Sequence, residues 1–384
     1  QPDANFWCLK AYTLNRTATN KSEQSGYSAL LNSSTFPSHE TDFSFNLISE
    51  QCTKVKVTET MAFIIRRLAF YLLAIFVAIT FNFLMPRLMP GDPVDALFAA
   101  AGGRLPAETL AAYKEMLGFT DGPLWEQYLQ YLYSVVSFDL GPAIMLFPVP
   151  VTEVLGNTLP WTVFLAGIAS LLSIAGGCFI GLYASYHRGG FVDRFVPFFW
   201  QFVASMPQAV TALFVFFIFA LTLKWFPLGF GANPDLEPGW NWAYMKSVLH
   251  HAVLPMVTLI VSMLATWIFT MRNAMVNVLG EDYITMAKAK GLSPRRIMTH
   301  YAARNAILPV VTAVSMALGF AVAGQVFIET VYNYPGVGQL IIKSVGARDY
   351  PLMQACFLLV VIFVLVANFI ADILYVWLDP RLRK

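Results

Sequence analysis

Apolar and polar positions come in blocks along most of this chain, not in alternation. From residue 61 onward, six stretches reach the roughly 20 apolar residues that cross a bilayer as a helix. They lie at 68–86, 158–184, 195–223, 252–271, 307–328 and 353–377, and none holds a Lys or Arg in its middle. The runs are continuously apolar, so they predict helices and not the alternating strands of a membrane barrel. The expected fold class is an all-α polytopic membrane protein with six transmembrane helices.

Composition agrees. Hydrophobic residues make up 57% of the chain and charged residues 12%, where a soluble domain carries about 25% charged residues. The net charge of +2 matters less than where the charges stand. The stretches 61–67, 185–194, 272–306 and 379–384 hold thirteen basic residues, among them Arg66, Arg188, Arg272, Lys288, Arg295 and Arg381, against four acids, Asp193, Glu281, Asp282 and Asp379. The long stretch 87–156 reverses this, with Arg87, Arg104 and Lys114 against eight acids. By the positive-inside rule both ends of the six-span unit face the cytoplasm and 87–156 is external. Within it, Pro106 to Leu117 reads as a short amphipathic helix. A plasma or inner membrane location follows, with membrane lipid as one partner.

Residues 1–60 are of another kind, rich in Ser, Thr and Asn and without an apolar run long enough for a span or a signal peptide. They are expected to be a disordered or mis-joined extension, with Met61 as a plausible start of the 61–384 domain. Asn15, Asn20 and Asn32 open N-x-S/T triplets, which matter only on a secreted tail. Cys8 and Cys52 lie in this tail and Cys178 and Cys356 in apolar runs, with no spacing of a zinc site. Small residues recur at four-residue spacing in the spans, at Gly177/Gly181, Ala317/Ala321 and Gly319/Ala323. Such stripes let helix backbones approach closely, within one chain or between subunits.

The stretch 281–309 reads EDYITMAKAKGLSPRRIMTHYAARNAILP, charged and patterned, between two spans. Glu281 and Asp282 suit a first helical turn, and good helix formers follow to Lys290. Gly291 is a natural residue just past a helix end, because Gly takes the left-handed conformation without penalty. Ser293 is an N-cap candidate and Pro294 suits the first turn of a second helix. That helix would present Ile297 and Tyr301 at i, i+4. The sequence thus specifies helix, corner, helix, and Ala287 and Ala289 leave the first helix thin enough for a groove. On the residues alone, a coupling device and an ordinary solvated hairpin both fit.

The segment resembles the EAA loop of membrane subunits in binding-protein-dependent ABC importers, patterned E-A-A-x3-G with an apolar position further on. Thr285, Met286 and Ala287 stand at the E-A-A places, Gly291 at the Gly and Tyr301 at the apolar position. Thr285 and Met286 depart from that pattern but suit the dipeptide/oligopeptide branch, whose loop runs D-Y-x-x-x-A-x-A-K-G-L. Asp282, Tyr283, Ala287, Ala289, Lys290, Gly291 and Leu292 match it residue by residue. Asn157-Thr158-Leu159-Pro160, Asp139-Leu140-Gly141, Glu329-Thr330-Val331, Pro335-Gly336-Val337-Gly338, Asp349-Tyr350-Pro351 and Asp379-Pro380-Arg381 resemble other parts of that branch, in order. The resemblance implies a type I ABC importer permease-like fold over 61–384, with the 281–306 loop docking on a cytoplasmic ATPase. It further implies a second, homologous permease subunit, two ABC ATPase subunits and an external substrate-binding protein as partners. ATP and Mg would be held by the ATPase, and this chain would hold no cofactor and catalyse nothing itself. The branch moves peptides, and relatives move nickel or oligosaccharides.

Other candidates are weaker. No GxxxxGK[ST] occurs, so the usual phosphate-cradling loop is lacking, and Gly336-Val337-Gly338 reads as a tight turn. Pro207 is expected to kink the third span. With Gln201, Ser205 and Gln208 it could line a pathway, or these polar groups could simply be satisfied by neighbouring helices. Asp372, with Asn368, is expected to snorkel or to bond to a helix near the cytoplasmic end. His250 and His251 are adjacent and so do not share a helix face; interfacial hydrogen bonding is expected there, not metal. No nucleic-acid partner is expected. A secondary transporter with no ATPase partner is the alternative function, but it would normally show intramembrane coupling charges or broken helices in two related halves. A membrane enzyme would need clustered His, Asp or Glu, and the five His are scattered.

Overall fold

Long uninterrupted apolar runs become long helices here, and the runs broken by Pro and polar pairs become bent ones. The computed structural model describes residues 65–85, 87–88, 123–321 and 326–378. The predicted extension 1–60 and the predicted helix Pro106–Leu117 lie outside the described residues. The chain divides into two compact units, Gln1–Phe70 with Arg381–Lys384, and Tyr71–Pro380. Of the first, residues 65–70 are described, and they are helical.

Twelve helical elements are named here. They are α1 (Ile65–Met85), α2 (Leu124–Ser137), α3 (Val151–Tyr186), α4 (Phe191–Ala204), α5 (Gln208–Phe216), α6 (Trp242–Leu279), α7 (Asp282–Ala289), α8 (Pro294–Arg296), α9 (Arg304–Ala321), α10 (Val326–Val331), α11 (Val337–Gly346) and α12 (Tyr350–Leu378). Single π-helical stretches, Phe217–Thr222 and Ile297–Ala303, continue α5 and α8. Pairing of strand type among the described residues is one isolated antiparallel bridge, Pro142 to Pro150. The all-α polytopic class expected from the pattern is what forms.

Four described helices are long and apolar enough to cross a membrane: Ile65–Met85, Val151–Tyr186, Trp242–Leu279 and Tyr350–Ile370 within α12. They coincide with predicted spans one, two, four and six. The predicted third span is not one straight helix. α4 and the α5 segment to Thr222 meet at 95° across Ser205–Pro207, which makes five spans if the bent pair counts as one. Pro207 has no N–H to give the helix and pushes Met206 out of helical conformation, so the ladder breaks there. The predicted fifth span, 307–328, falls on α9, on residues 322–325 outside the described set, and on the start of α10.

Two helices overrun their predicted spans. α3 starts at Val151 where the apolar run starts at 158, and α6 runs Trp242–Leu279 where the run covers 252–271. Asn241 explains the early start of α6: its Oδ1 accepts from the Tyr244 N–H at 2.7 Å, a side-chain N-cap. α3 and α6 form the central pair. Gly177 and Gly181 lie in their contact, where a Cβ on Gly181 would come 2.6 Å from the Ile268 carbonyl oxygen and one on Gly177 would strike Trp267. This small-residue pair therefore serves packing inside the chain. The pairs at 317–323 run into residues outside the described set.

Cys178 packs, partly buried, against the apolar cluster at the end of α6, and Cys356 is buried at the start of α12. Asp372 accepts a 2.7 Å hydrogen bond from the Tyr71 hydroxyl, so this acid in the last span ties α12 to α1.

Candidate functional site

The loop after α6 folds as helix, corner, helix. Gly280 ends α6 and Glu281 opens α7 in extended conformation, with Asp282 in the first turn. Neither Glu281 nor Ser293 makes a side-chain cap bond; Ser293 holds the N-cap position expected of it, while Glu281 stands at an N-cap just before the first turn it was expected to join, and Pro294 follows Ser293 at the first turn of α8. Lys290 ends α7 and Gly291 follows at φ 71°. The Gly291 N–H donates to the Lys288 carbonyl at 2.9 Å and the Leu292 N–H to the Ala287 carbonyl at 3.3 Å. These are the two bonds of a Schellman turn, and Leu292 and Ala287 make its apolar contact in one cluster. The corner is therefore defined by hydrogen bonds as well as by Gly291.

Burial divides α7 into two faces. Ile284 is fully buried and Ala287 nearly so, packed with Met271 and Met275 of α6 and with Ile297, Met298, Ala302, Ala306 and Val310. Asp282, Tyr283, Thr285, Met286, Lys288, Ala289, Lys290 and Gly291 are exposed, with Met286 at 62%. Of the two alanines expected to leave the helix thin, Ala287 is buried against α6 and the second arm, and Ala289 is exposed.

The second arm also differs from expectation. Ile297 is buried while Tyr301 is 38% exposed, so they do not share a face. The π-helical stretch Ile297–Ala303 is the cause. A π turn aligns residues five apart, so the buried row runs 297, 302, 306, 310 and Tyr301 turns outward. Asn305, which the pattern did not single out, ties the two arms. Its Nδ2 donates to the Tyr283 hydroxyl at 2.9 Å and to the Tyr301 carbonyl at 3.0 Å. Near the end of α6, the Arg272 guanidinium donates from Nε to Asp193 Oδ1 at 2.8 Å, fixing the start of α4.

The pathway candidates gather at the bend. Gln201, Ser205 and Pro207 are exposed in this chain and Gln208 is half-buried. The Ser205 hydroxyl donates to the Gln201 carbonyl at 2.8 Å, within its own helix and not to a neighbouring one. His251 Nδ1 lies 2.8 Å from the Ser247 carbonyl, and the His250 ring lies 5.7 Å from that of Phe226.

Toward the other end of α3 and α6, the structure assembles a second polar centre. Glu329 of α10 is fully buried. Its Oε1 accepts from the Thr162 hydroxyl of α3 at 2.7 Å, and its Oε2 accepts from the Gly338 N–H at 2.6 Å and the Gln339 N–H at 3.3 Å, at the start of α11. Thr162 in turn accepts from the Val337 N–H at 2.8 Å. Burial pushes the Glu329 carboxyl up to about 6, against the lowering effect of these donors. Gly336-Val337-Gly338 is thus not a bare turn. A Cβ on Gly336 would overlap the Glu329 carboxyl, and one on Gly338 would come 2.6 Å from the Val326 Cα. Asp349 works similarly before α12, accepting from Met145 at 2.9 Å and from Leu352 at 3.1 Å. The isolated Glu directly after the apolar run 307–328 and the P-G-V-G that follows were the available signal for Glu329.

Comparison with known proteins bears on what this frame is. Residues 177–384 match the family described as binding-protein-dependent transport system inner membrane component. A probable peptide ABC transporter permease protein of Sinorhizobium fredii is 32% identical over 323 residues, covering 84% of this chain and 99% of its own. A di/tripeptide transport system permease protein of Pseudomonas aeruginosa is 33% identical over 336 residues, with the same two coverages of 84% and 99%. Among solved structures, the MetNI methionine ABC transporter in inward-facing conformations aligns with 59% of this chain and 97% of its own, at 16% identity and a TM-score of 0.48. On the family match and the identity to curated relatives, the chain belongs to the inner membrane components of binding-protein-dependent transport systems, the permease family of ABC importers.

Proposed function

We propose that this chain is the membrane-spanning permease subunit of an ATP-driven peptide importer, coupled to separate ATPase subunits through the 281–306 loop. Substrate would arrive from an external binding protein, and a second, homologous permease would complete the pathway, with the bend at Gln201, Ser205, Pro207 and Gln208 on its lining. Both ends of the spanning unit would face the cytoplasm, which puts the basic loop on the side of the ATPases. The names of the relatives support peptides as the substrate class.

The observation that carries the coupling role is the two-faced α7. Its inner face, Ile284 and Ala287, is fused by packing to the end of α6 and the start of α9. Its outer face carries Tyr283, Met286 and Lys290 into solvent. A force applied to that outer face reaches two long helices through close-packed contacts, and the Schellman corner keeps the angle between the arms fixed.

Met286→Asp and Gly291→Asp test this. A Cβ on Gly291 meets nothing within 4 Å and Met286 points outward, so both variants should insert; Met286→Asp should melt near the parent and Gly291→Asp somewhat lower, by the left-handed penalty of about 1 kcal/mol at φ 71°. Each should lose co-purifying ATPase and peptide uptake. Normal uptake with an ATPase still bound by both variants would overturn the coupling role.

A further inference from the structure

We propose that α2 is an interfacial helix, lying along the membrane surface at the end of α1 with Trp125, Leu129, Tyr133 and Val136 in the lipid boundary. The helix has 14 residues, which at 1.5 Å per residue is about 21 Å, short of the roughly 30 Å a hydrocarbon core requires. It does not span, yet one side of it is apolar and open. Trp125, Leu129, Tyr133 and Val136 follow one another at helical spacing and are 64%, 55%, 76% and 77% exposed. None of them is charged, and the only charged residue of α2 is Glu126.

The opposite side of α2 is pinned to the end of α1. The Tyr128 and Thr80 hydroxyls are 2.7 Å apart, Asn82 Nδ2 donates to the Tyr131 hydroxyl at 3.0 Å, and Arg87 Nη2 donates to Gln127 Oε1 at 2.9 Å. Phe83 fills the space between, edge-on to Tyr128 at 5.1 Å. This contact fixes both the depth of α2 and its rotation. α1 is itself a lipid-facing span, with 11% of its apolar window buried and Phe76, Phe81 and Leu84 open. Arg87 marks where that span reaches the headgroups: its guanidinium stands 3.6 Å over the Phe83 ring and bonds the Phe83 carbonyl at 2.9 Å. A cation held there places α2, which bonds the same guanidinium, at the same level.

Lipid is the occupant the residues favour. Trp and Tyr concentrate at membrane interfaces, where an apolar ring carries a polar tip, and α2 supplies Trp125, Tyr128, Tyr131 and Tyr133. An interfacial helix tied to α1 in this way would hold that span at constant depth while the rest of the permease moves.

The test is spin-label accessibility in the complete transporter, reconstituted in phospholipid vesicles. Single cysteines would be placed at Leu129, Gln130, Tyr133 and Val136 in a chain whose native cysteines are replaced by Ala, Gln130 being exposed and polar and lying off the stripe. Labels at 129, 133 and 136 should be mobile and collide several-fold more with oxygen than with a water-soluble nickel chelate. The label at 130 should show the reverse. Nickel access at all four sites would overturn the proposal in favour of an aqueous face, and immobile labels shielded from both reagents would overturn it in favour of a covering protein. Using three stripe positions keeps the result readable if one variant fails to assemble.

Discussion

The two ends of the α3–α6 pair are closed by different physics. At the loop end, Ile284, Ala287, Ile297, Ala302 and Ala306 pack against Met271 and Met275. The polar fixings there include the turn at Gly291, the Asn305 bond to Tyr283 and the Arg272–Asp193 pair. At the other end, two fully buried carboxylates hold segments far apart in sequence, Glu329 by accepting from the Thr162 hydroxyl as well as from the Gly338 N–H, and Asp349 by accepting from the Met145 N–H. Apolar contact is non-directional, so a packed helix can shift against its neighbours and stay in contact. A buried carboxylate is directional, and moving it off its donors leaves both sides unsatisfied. On the proposed coupling role, one end would pass on displacement and the other would stay in place while it does.

Two glycines carry this contrast, and substituting them separates it most sharply. Gly336 is required for room: its φ is −96°, open to any residue, but a Cβ would stand where the Glu329 carboxyl is. Gly336→Ala should therefore displace that carboxylate from Gly338, Gln339 and Thr162. The expected loss is about 3 kcal/mol or more, since breaking a buried charge's hydrogen bonds costs that much. It should be read as a drop of several degrees in the melting temperature of the solubilised protein. An unchanged melting temperature would mean that the buried carboxylate does not secure this end.

The pH dependence of stability should report the same carboxylate with a smaller amplitude. Glu329 titrates near 6 when folded, above the ordinary glutamate value of about 4.3. The folded state therefore binds the proton more tightly. Its contribution is fully present below the unfolded value and is lost as pH rises through about 6. A shift of this size corresponds to about 2 kcal/mol. Between pH 4.5 and 7 the wild type should lose stability relative to Glu329→Gln, which does not titrate. Parallel melting curves across that window would show that Glu329 is not the group responsible.

How much of this was legible in the sequence follows from the same physics. The long spans were, because α3, α6 and α12 are runs of apolar residues whose only requirement is to leave water. The corner was, because a helix end leaves carbonyls unpaired and Lys290-Gly291-Leu292 offers one local answer to them. The outward turn of Tyr301 was not, since a π turn between 297 and 303 changes the period and nothing in IMTHYAA announces it. The inward turn of Ala287 was not, since an alanine suits a buried and an exposed helix face alike. Nor was the bend of 95° at Pro207, where the sequence indicates a break but the angle is set by what α4 and α5 pack on. Glu329 was hidden for a different reason. Its partners Thr162 and Gly338 stand 167 and 9 residues away, and a carboxylate that bonds across such distances has no local pattern.

The smallest effect is expected at Gly291, and it is the more telling one. Here the residue is required for conformation: φ is 71°, yet a Cβ would meet nothing within 4 Å. Gly291→Ala carries only the left-handed penalty, about 1–2 kcal/mol. Asn tolerates that conformation better than other side chains with a Cβ, so Gly291→Asn should melt within a few tenths of a degree to a degree or so of wild type. At Gly336 the order cannot hold, because Asn needs more room than Ala and the space is occupied. Measured side by side, Asn should be milder than Ala at 291 and harsher than Ala at 336. If Asn were the harsher at 291 as well, the corner would be limited by space in the folded chain. The exposed face of α7 would then be more crowded than an open docking surface requires, and the loss of uptake in Gly291→Asp would no longer report on the partner alone.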